Sequence, residues 1–170
     1  MITKKINNAL NEQINAELWS AYLYLAMSLN ADAMALKGVA NWFYVQWLEE
    51  QDHARIFENY VNSQNGRVIL QPIKAVPTEW DSPEEMFIEA LEHEREVTRL
   101  ISELVHLAYR ESDYATLSRL QWFVDEQVEE EDNLRDIIAD FDRVAGHPEL
   151  IGPLDKEFLS RQHHPAEPLK

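Results

Sequence analysis

Glu50 and His53 stand three residues apart, Gln127 and Glu130 likewise, and single glutamates sit at Glu17 and Glu94. At 3.6 residues per turn, each of these groups points among apolar neighbours. Glu17 lies between Ile14 and Ala21, and Glu94 between Ala90 and Val97. Glu50 and His53, preceded by Gln46, lie between Phe43 and Phe57, while Gln127 and Glu130 lie between Phe123 and Leu134. An unpaired carboxylate in an apolar interior costs several kcal/mol, or sheds its charge by taking up a proton. Several carboxylates at one depth also repel one another. Cations remove both costs, so these residue types at this spacing point to a buried metal site. Oxygen donors with an imidazole and no sulfur suit iron or manganese, and zinc is compatible. A glutamate from each of two helices combined with Glu-x-x-His pairs is the di-iron carboxylate pattern of helix bundles.

One Glu-x-x-His is a weak signal on its own. Glu103-x-x-His106 matches it too, yet both residues fall about 120° or more from the apolar stripe of their helix and read as a surface pair. Glu50 and His53 alone would be explained equally well by an inward pair satisfied by hydrogen bonds. Four separate segments breaking their stripes near their midpoints make the metal reading the stronger one.

Four long helices must carry these groups. The first is expected from Lys4 to about Ala33, with Ile6, Leu10, Ile14, Ala21, Tyr24 and Ser28 inward. The second runs from about Val39 to Gln64, with Asn65-Gly66 as its stop. Ser82-Pro83-Glu84-Glu85 opens the third with an N-cap serine, a proline at the first helical position and a capping-box glutamate. Its stripe is Phe87, Ala90, Val97, Ile101, Leu104 and Ala108. The fourth follows Ser112-Asp113, buries Leu120, Phe123, Leu134, Ile138 and Phe141, and stops at Gly146. A short fifth helix begins at Pro148 and reaches about Leu159. The fold class is therefore all-α, a four-helix bundle of two antiparallel hairpins plus a short C-terminal helix. The stretch from Arg67 to Asp81, with Pro72 and Pro77, reaches about 50 Å when extended, against about 42 Å for a helix of some 28 residues. It is long enough to return along the whole bundle. Residues 1–160 are expected to form one domain and residues 161–170, with His163-His164-Pro165, a disordered tail.

Composition removes other classes. Without cysteine there is no disulfide framework, zinc finger or cysteine-held iron–sulfur cluster. The net charge of −16 and the lack of a Lys/Arg cluster exclude a nucleic-acid footprint, whereas an acidic surface concentrates cations. The N-terminus lacks a signal-peptide core, and the longest uncharged run, Leu18 to Ala31, is too short to span a bilayer. A cytoplasmic protein with no membrane partner is expected.

Across nearly its full length, the chain resembles the bacterial non-haem ferritins, whose bundles also have one long crossover. The match is carried by Glu17, Tyr24, the Glu49-Glu50-Gln51-Asp52-His53 segment, Glu94, Trp122 and Glu126-Gln127-x-Glu129-Glu130. The resemblance implies that Glu17, Glu50 and His53 hold a first iron, with Glu50 bridging, and that Glu94 and Glu130 hold a second with Gln127 beside it. Glu49, Glu126 and Glu129 would complete, with Glu130, a third iron site. By helical position alone, Glu129 points round the flank, and a solvated acidic face explains Glu126, Glu129, Glu131 and Asp132 better. Tyr24 would hydrogen-bond a ligand or donate an electron, and Trp122 would lie close by; core packing is the ordinary role for both. The implied activity is ferroxidase: Fe(II) is oxidised by O2 or hydrogen peroxide, and ferric mineral is stored inside a homo-oligomeric cage of 24 subunits. Bacterioferritins differ in a second Glu-x-x-His and a haem-ligating methionine. Here Gln127-x-x-Glu130 and Asp52 stand instead, so no haem is expected. The competing classes are a structural shell with an inactive site, a di-metal redox protein without storage, and a plain helical interaction module. The last leaves Glu17, Glu50 and Glu94 unexplained.

Overall fold

The computed structural model of the chain describes residues 1–169. Five α-helices occur among them: α1 (Lys4–Ala33), α2 (Lys37–Ser63), α3 (Pro83–Arg110), α4 (Tyr114–Arg143) and α5 (Pro148–Glu157). A 3₁₀ turn, Phe158–Ser160, follows α5. The expected capping chemistry is present. The Ser82 hydroxyl accepts from Glu85 N at 3.1 Å, while the Glu85 carboxylate reaches back to Asp81 N at 2.7 Å. Thr3 accepts from Ile6 N and Asp113 from Thr116 N, so α1 and α4 also begin on side-chain caps. At the end of α2 it is Asn65 that takes the left-handed conformation, with φ of 61°. Gly66 serves close approach instead, since a Cβ there would lie 2.3 Å from Asn7 Oδ1.

Direction follows from the core. The C-terminal half of α1 shares one apolar cluster with the N-terminal halves of α2 and α3 and the C-terminal half of α4, through Tyr24, Met27, Phe43, Phe87, Leu134 and Phe141. The opposite halves build a second cluster around Leu10, Ile14, Phe57, Ile101, Leu120 and Phe123. Helices α2 and α3 therefore run parallel, and their connection must travel the length of the bundle. Asn7 and Asn11 pin its start, accepting from Arg67 N at 3.1 Å and Ile69 N at 2.6 Å. Trp80, near its end, donates to Glu89 at 2.6 Å. On the fourth helix Ile137 is the more buried of the isoleucine pair, and Ile138 packs at the edge.

Of the tail expected to be disordered, residues 161–169 follow a defined path, and Lys170 lies outside the described residues. Residues 161–169 lie against α2, and Ala166 and Leu169 pack on the second apolar cluster. The segment is placed by polar partners far away in sequence, which its Pro- and His-rich composition conceals. Its foundation is the contact of α5 with the start of α2, where Asp155 Oδ1 accepts from Val39 N at 2.8 Å. Gly38 makes that approach feasible, because a Cβ would fall 1.6 Å from Asp155 O. Gly38→Ala should consequently undock α5 and lower stability by about 2 kcal/mol, read from urea unfolding. Unchanged stability would mean that α5 does not bear on α2 as described.

Candidate metal centre

The two apolar clusters are separated by a layer of polar side chains contributed by all four long helices. Glu17, Glu50, His53, Glu94, Gln127 and Glu130 are at most 5% exposed, and Gln13, Ser20 and Gln46 are buried with them. The helical periodicity that buries Ile14 and Tyr24 also carries Glu17 inward, and the same holds for each partner on its own helix. Glu103 and His106 are exposed, as their position on the wheel requires.

Ligand atoms of Glu17, Glu50 and His53 lie within 4.8 Å of one another, and so do those of His53, Glu126 and Glu130. His53 thus stands between two carboxylate groups. Its Nδ1 is 3.4 Å from Glu50 Oε2 and its Nε2 is 3.9 Å from Glu126 Oε1. Glu17 Oε1 accepts from Gln13 Nε2 at 2.8 Å, whereas Glu17 Oε2 is buried with no protein hydrogen-bond partner. A buried carboxylate with one bare oxygen, in such a cluster, suits a hard cation. Glu94 is held differently: Tyr24 OH donates to Oε1 and Gln127 Nε2 donates to Oε2 at 3.0 Å. Gln46 donates to Glu130 Oε2 at 2.9 Å. Glu94 and Glu130, expected as partners, are neighbours electrostatically, but in this arrangement Glu130 groups with His53 and Glu126.

Glu49 and Glu126 are part-buried at the edge of the layer, and Glu129 is exposed on its flank, as the wheel indicates. Trp122 packs edge-on to His53, ring centroids 5.5 Å apart. Two contributors escape a sequence reading, and so does the role of a third. Gln13 orients Glu17, but a glutamine on a helix carries no distinctive signal; Gln46 falls on the inward stripe, but its bond to Glu130 does not follow from the spacing. His93, part-buried against Trp19, bonds Ser20 Oγ at 2.7 Å, and burial lowers its pKa to about 4.

Burial dominates the electrostatics. It raises the carboxyl groups of Glu17 and Glu50 well above the usual range, reinforced by Glu50 at the first and by Glu94 and Glu130 at the second. Burial also raises Glu94, against the opposing hydrogen bonds from Gln127 and Tyr24. It lifts Glu130 to about 7, aided by Glu94 and opposed by His53 and Arg161. A site that holds protons where cations would otherwise sit exchanges one for the other.

The site has recognisable counterparts. Residues 7–144 match the family model described as a ferritin-like domain. A bacterial non-heme ferritin of Bacteroides fragilis is 42% identical over 145 residues, covering 85% of this chain and 91% of that protein. One from Staphylococcus epidermidis is 37% identical over 161 residues, covering 95% and 97%. An open pore ferritin of the hyperthermophilic archaeon Archaeoglobus fulgidus superposes with a TM-score of 0.94 at 46% identity, over 95% of this chain and 100% of the other.

The buried acids give the metal-free protein a definite pH dependence. Between its ordinary value of 4.5 and about 7, Glu130 keeps in the folded state a proton that the unfolded chain has lost. Stability therefore falls as pH rises through that window, by at most about 1.4 kcal/mol per unit for one proton, and Glu17, Glu50 and Glu94 act in the same direction. Glu130→Gln should flatten this slope in urea unfolding of chelator-treated protein at pH 5 to 8. An identical slope in the variant would show that Glu130 does not retain its proton on folding.

Proposed function

This chain belongs to the ferritin family, and from that premise we propose that it is a cytoplasmic iron store that oxidises Fe(II) in the buried carboxylate layer and keeps the ferric product inside a hollow homo-oligomeric shell. The observation that carries the reading is the convergence of Glu17, Glu50 and His53 with one carboxylate oxygen free of any protein partner. Fe(II) is the substrate. Glu17, Glu50 and His53 take the first ion, with Glu50 shared, and Glu94 and Glu130 take the second once Gln127 and Tyr24 release or redirect Glu94. Two ions held about 3.5–4 Å apart can reduce one acceptor molecule between them. Each Fe(II) gives one electron. O2 takes two electrons and two protons and leaves as hydrogen peroxide; alternatively, hydrogen peroxide takes two of each and leaves as water.

The chain's own groups fit these requirements. Carboxyls raised by burial surrender protons as cations bind, and those protons are available to the reduced oxygen. Hard oxygen donors favour Fe(III) over Fe(II), which draws the oxidation forward. Tyr24 keeps Glu94 aimed into the layer, and the apolar clusters on either side exclude water. Glu49, Glu126, Glu129 and Glu130 form a third site toward the edge of the bundle, supported by the approach of Glu126 and Glu130 to His53.

A shell of copies, 24 in this reading, is supported by apolar side chains that one chain leaves uncovered. Tyr22, Leu29, Tyr44, Leu70 and Ile73 are between 45% and 64% exposed on α1, α2 and the crossover. No helix among the described residues is long and apolar enough to cross a membrane.

The test is aerobic Fe(II) addition to metal-free protein of known native mass, wild type against Glu50→Ala/Glu94→Ala. A rapid phase of about two irons per chain, then continued loading into a large assembly, is expected of wild type. The double variant should lose the rapid phase by at least about 100-fold in rate. Equal rates in both proteins would displace the oxidation from this layer. A large, inactive wild-type assembly would leave a structural shell instead.

A further inference from the structure

One face of α2 is a polar track for the C-terminal segment. Asn41 Nδ2 donates to the carbonyls of Phe158 and Arg161, each at 3.0 Å. Arg161 then lies along the helix: Nη1 donates to Trp42 O at 3.0 Å, Nη2 donates to Gln46 Oε1 at 2.8 Å and to the Glu49 carboxylate, and the guanidinium sits 4.3 Å from the Trp42 ring centroid. Further on, Asp52 Oδ2 accepts from His163 Nε2 at 3.0 Å and from Ala166 N at 3.2 Å. Among the described residues, the segment is a strap whose one charge contact with the metal layer is the part-buried pair of Arg161 and Glu49. Both partners are largely covered, with side chains 23% and 25% exposed.

This contact falls on a carboxylate that the preceding reading gives to the third iron. A guanidinium stays charged at every physiological pH, so Glu49 cannot be released by deprotonating its partner. A cation arriving among Glu49, Glu126, Glu129 and Glu130 meets a positive charge already seated there, whose field extends to Glu130. Arg161 also bonds Gln46, the residue that holds Glu130, so the strap and the layer share a hinge of two side chains. Among Glu17, Glu50, His53, Glu94 and Glu130, which serve the first two ions, no guanidinium is seated; Arg161 reaches Glu130 only through its field and through Gln46.

We propose that Arg161 is a built-in competitor for the third cation: it holds Glu49 until a metal ion displaces it, and so sets how readily the third site fills relative to the first two. This inference rests on the assignment of Glu49 to a third site, and its test separates the two.

Redox-inert Zn(II) is titrated calorimetrically into metal-free, assembled, full-length protein. Arg161→Gln should tighten the weakest of three cation sites by roughly tenfold or more, and the two tighter sites by clearly less. Arg161→Lys, which keeps the charge, should remain within about threefold of wild type. Glu49→Gln should abolish the third site, and Arg161→Gln/Glu49→Gln should show no gain over Glu49→Gln. A third site present in wild type but indifferent to Arg161→Gln, or weakened by it, overturns the competitor role while leaving the site assignment standing. Equal tightening by Arg161→Lys also overturns it, since loosening of the strap would then be the cause. A third site that survives Glu49→Gln, or is missing from every variant, overturns the assignment and the competitor role with it.

Discussion

Placing four carboxyl groups and an imidazole at the waist of a helix bundle sets a condition that the rest of the molecule has to meet. Each buried acid loses hydration that its neighbours cannot fully replace, and the neighbours repel it if it ionises. The structure answers in three ways. Protons are retained, amides and a phenol are aimed at the oxygens, and apolar packing is concentrated above and below, where Phe43 stacks with Phe87 and Phe57 with Phe123. Gln13, Gln46, Gln127 and Tyr24 each serve one carboxylate, so every acid but Glu50 has a neutral hydrogen-bond donor. Glu17 keeps one buried oxygen without a protein partner, and Glu17 belongs to the triad that reads as the first binding position.

Keeping the four helices in register is then a matter of their ends and connections. Capped starts on α1, α3 and α4 fix where each periodicity begins, and a slip of one residue would swing a glutamate by about 100° out of the layer. The crossover is tied to α1 at its start by two asparagines and to α3 near its end by Trp80, so the second hairpin is set against the first. Tyr60 and Thr116, 2.8 Å apart, add a polar tie between α2 and α4 at the second apolar cluster, to which Tyr60 belongs.

Much of this was legible in the sequence because helical periodicity converts spacing directly into direction. Glu17, Glu50, His53, Glu94, Gln127 and Glu130 could be read as inward because flanking apolar residues define the stripe, and Glu103 and His106 could be set aside by the same rule. Ser82-Pro83 fixed the start of α3 to the residue. What escaped has a common cause: partners brought together by the fold across long stretches of chain. Arg161 and Glu49 are 112 residues apart, and nothing local to either signals the other. Asp52 looked like the replacement of a haem-ligating residue, yet its structural role is to anchor His163 and the Ala166 amide. Asn65 took the left-handed position beside a glycine that composition favours, because Gly66 was needed against Asn7.

The division of the core has a mechanical side. Two greasy blocks, each well packed internally, are joined through a section in which the strongest forces are electrostatic and depend on what occupies the centre. Protonated, that section is a girdle of directional hydrogen bonds that tolerates little displacement. Stripped of both protons and cations, it holds carboxylates that repel one another, and that repulsion weakens this cross-section of the rod. If it fills with metal as proposed, it would become a rivet clamping all four staves at once. Stiffness along the bundle axis would then vary with each round of the proposed uptake and release, and the cargo in transit would for that interval be part of the frame.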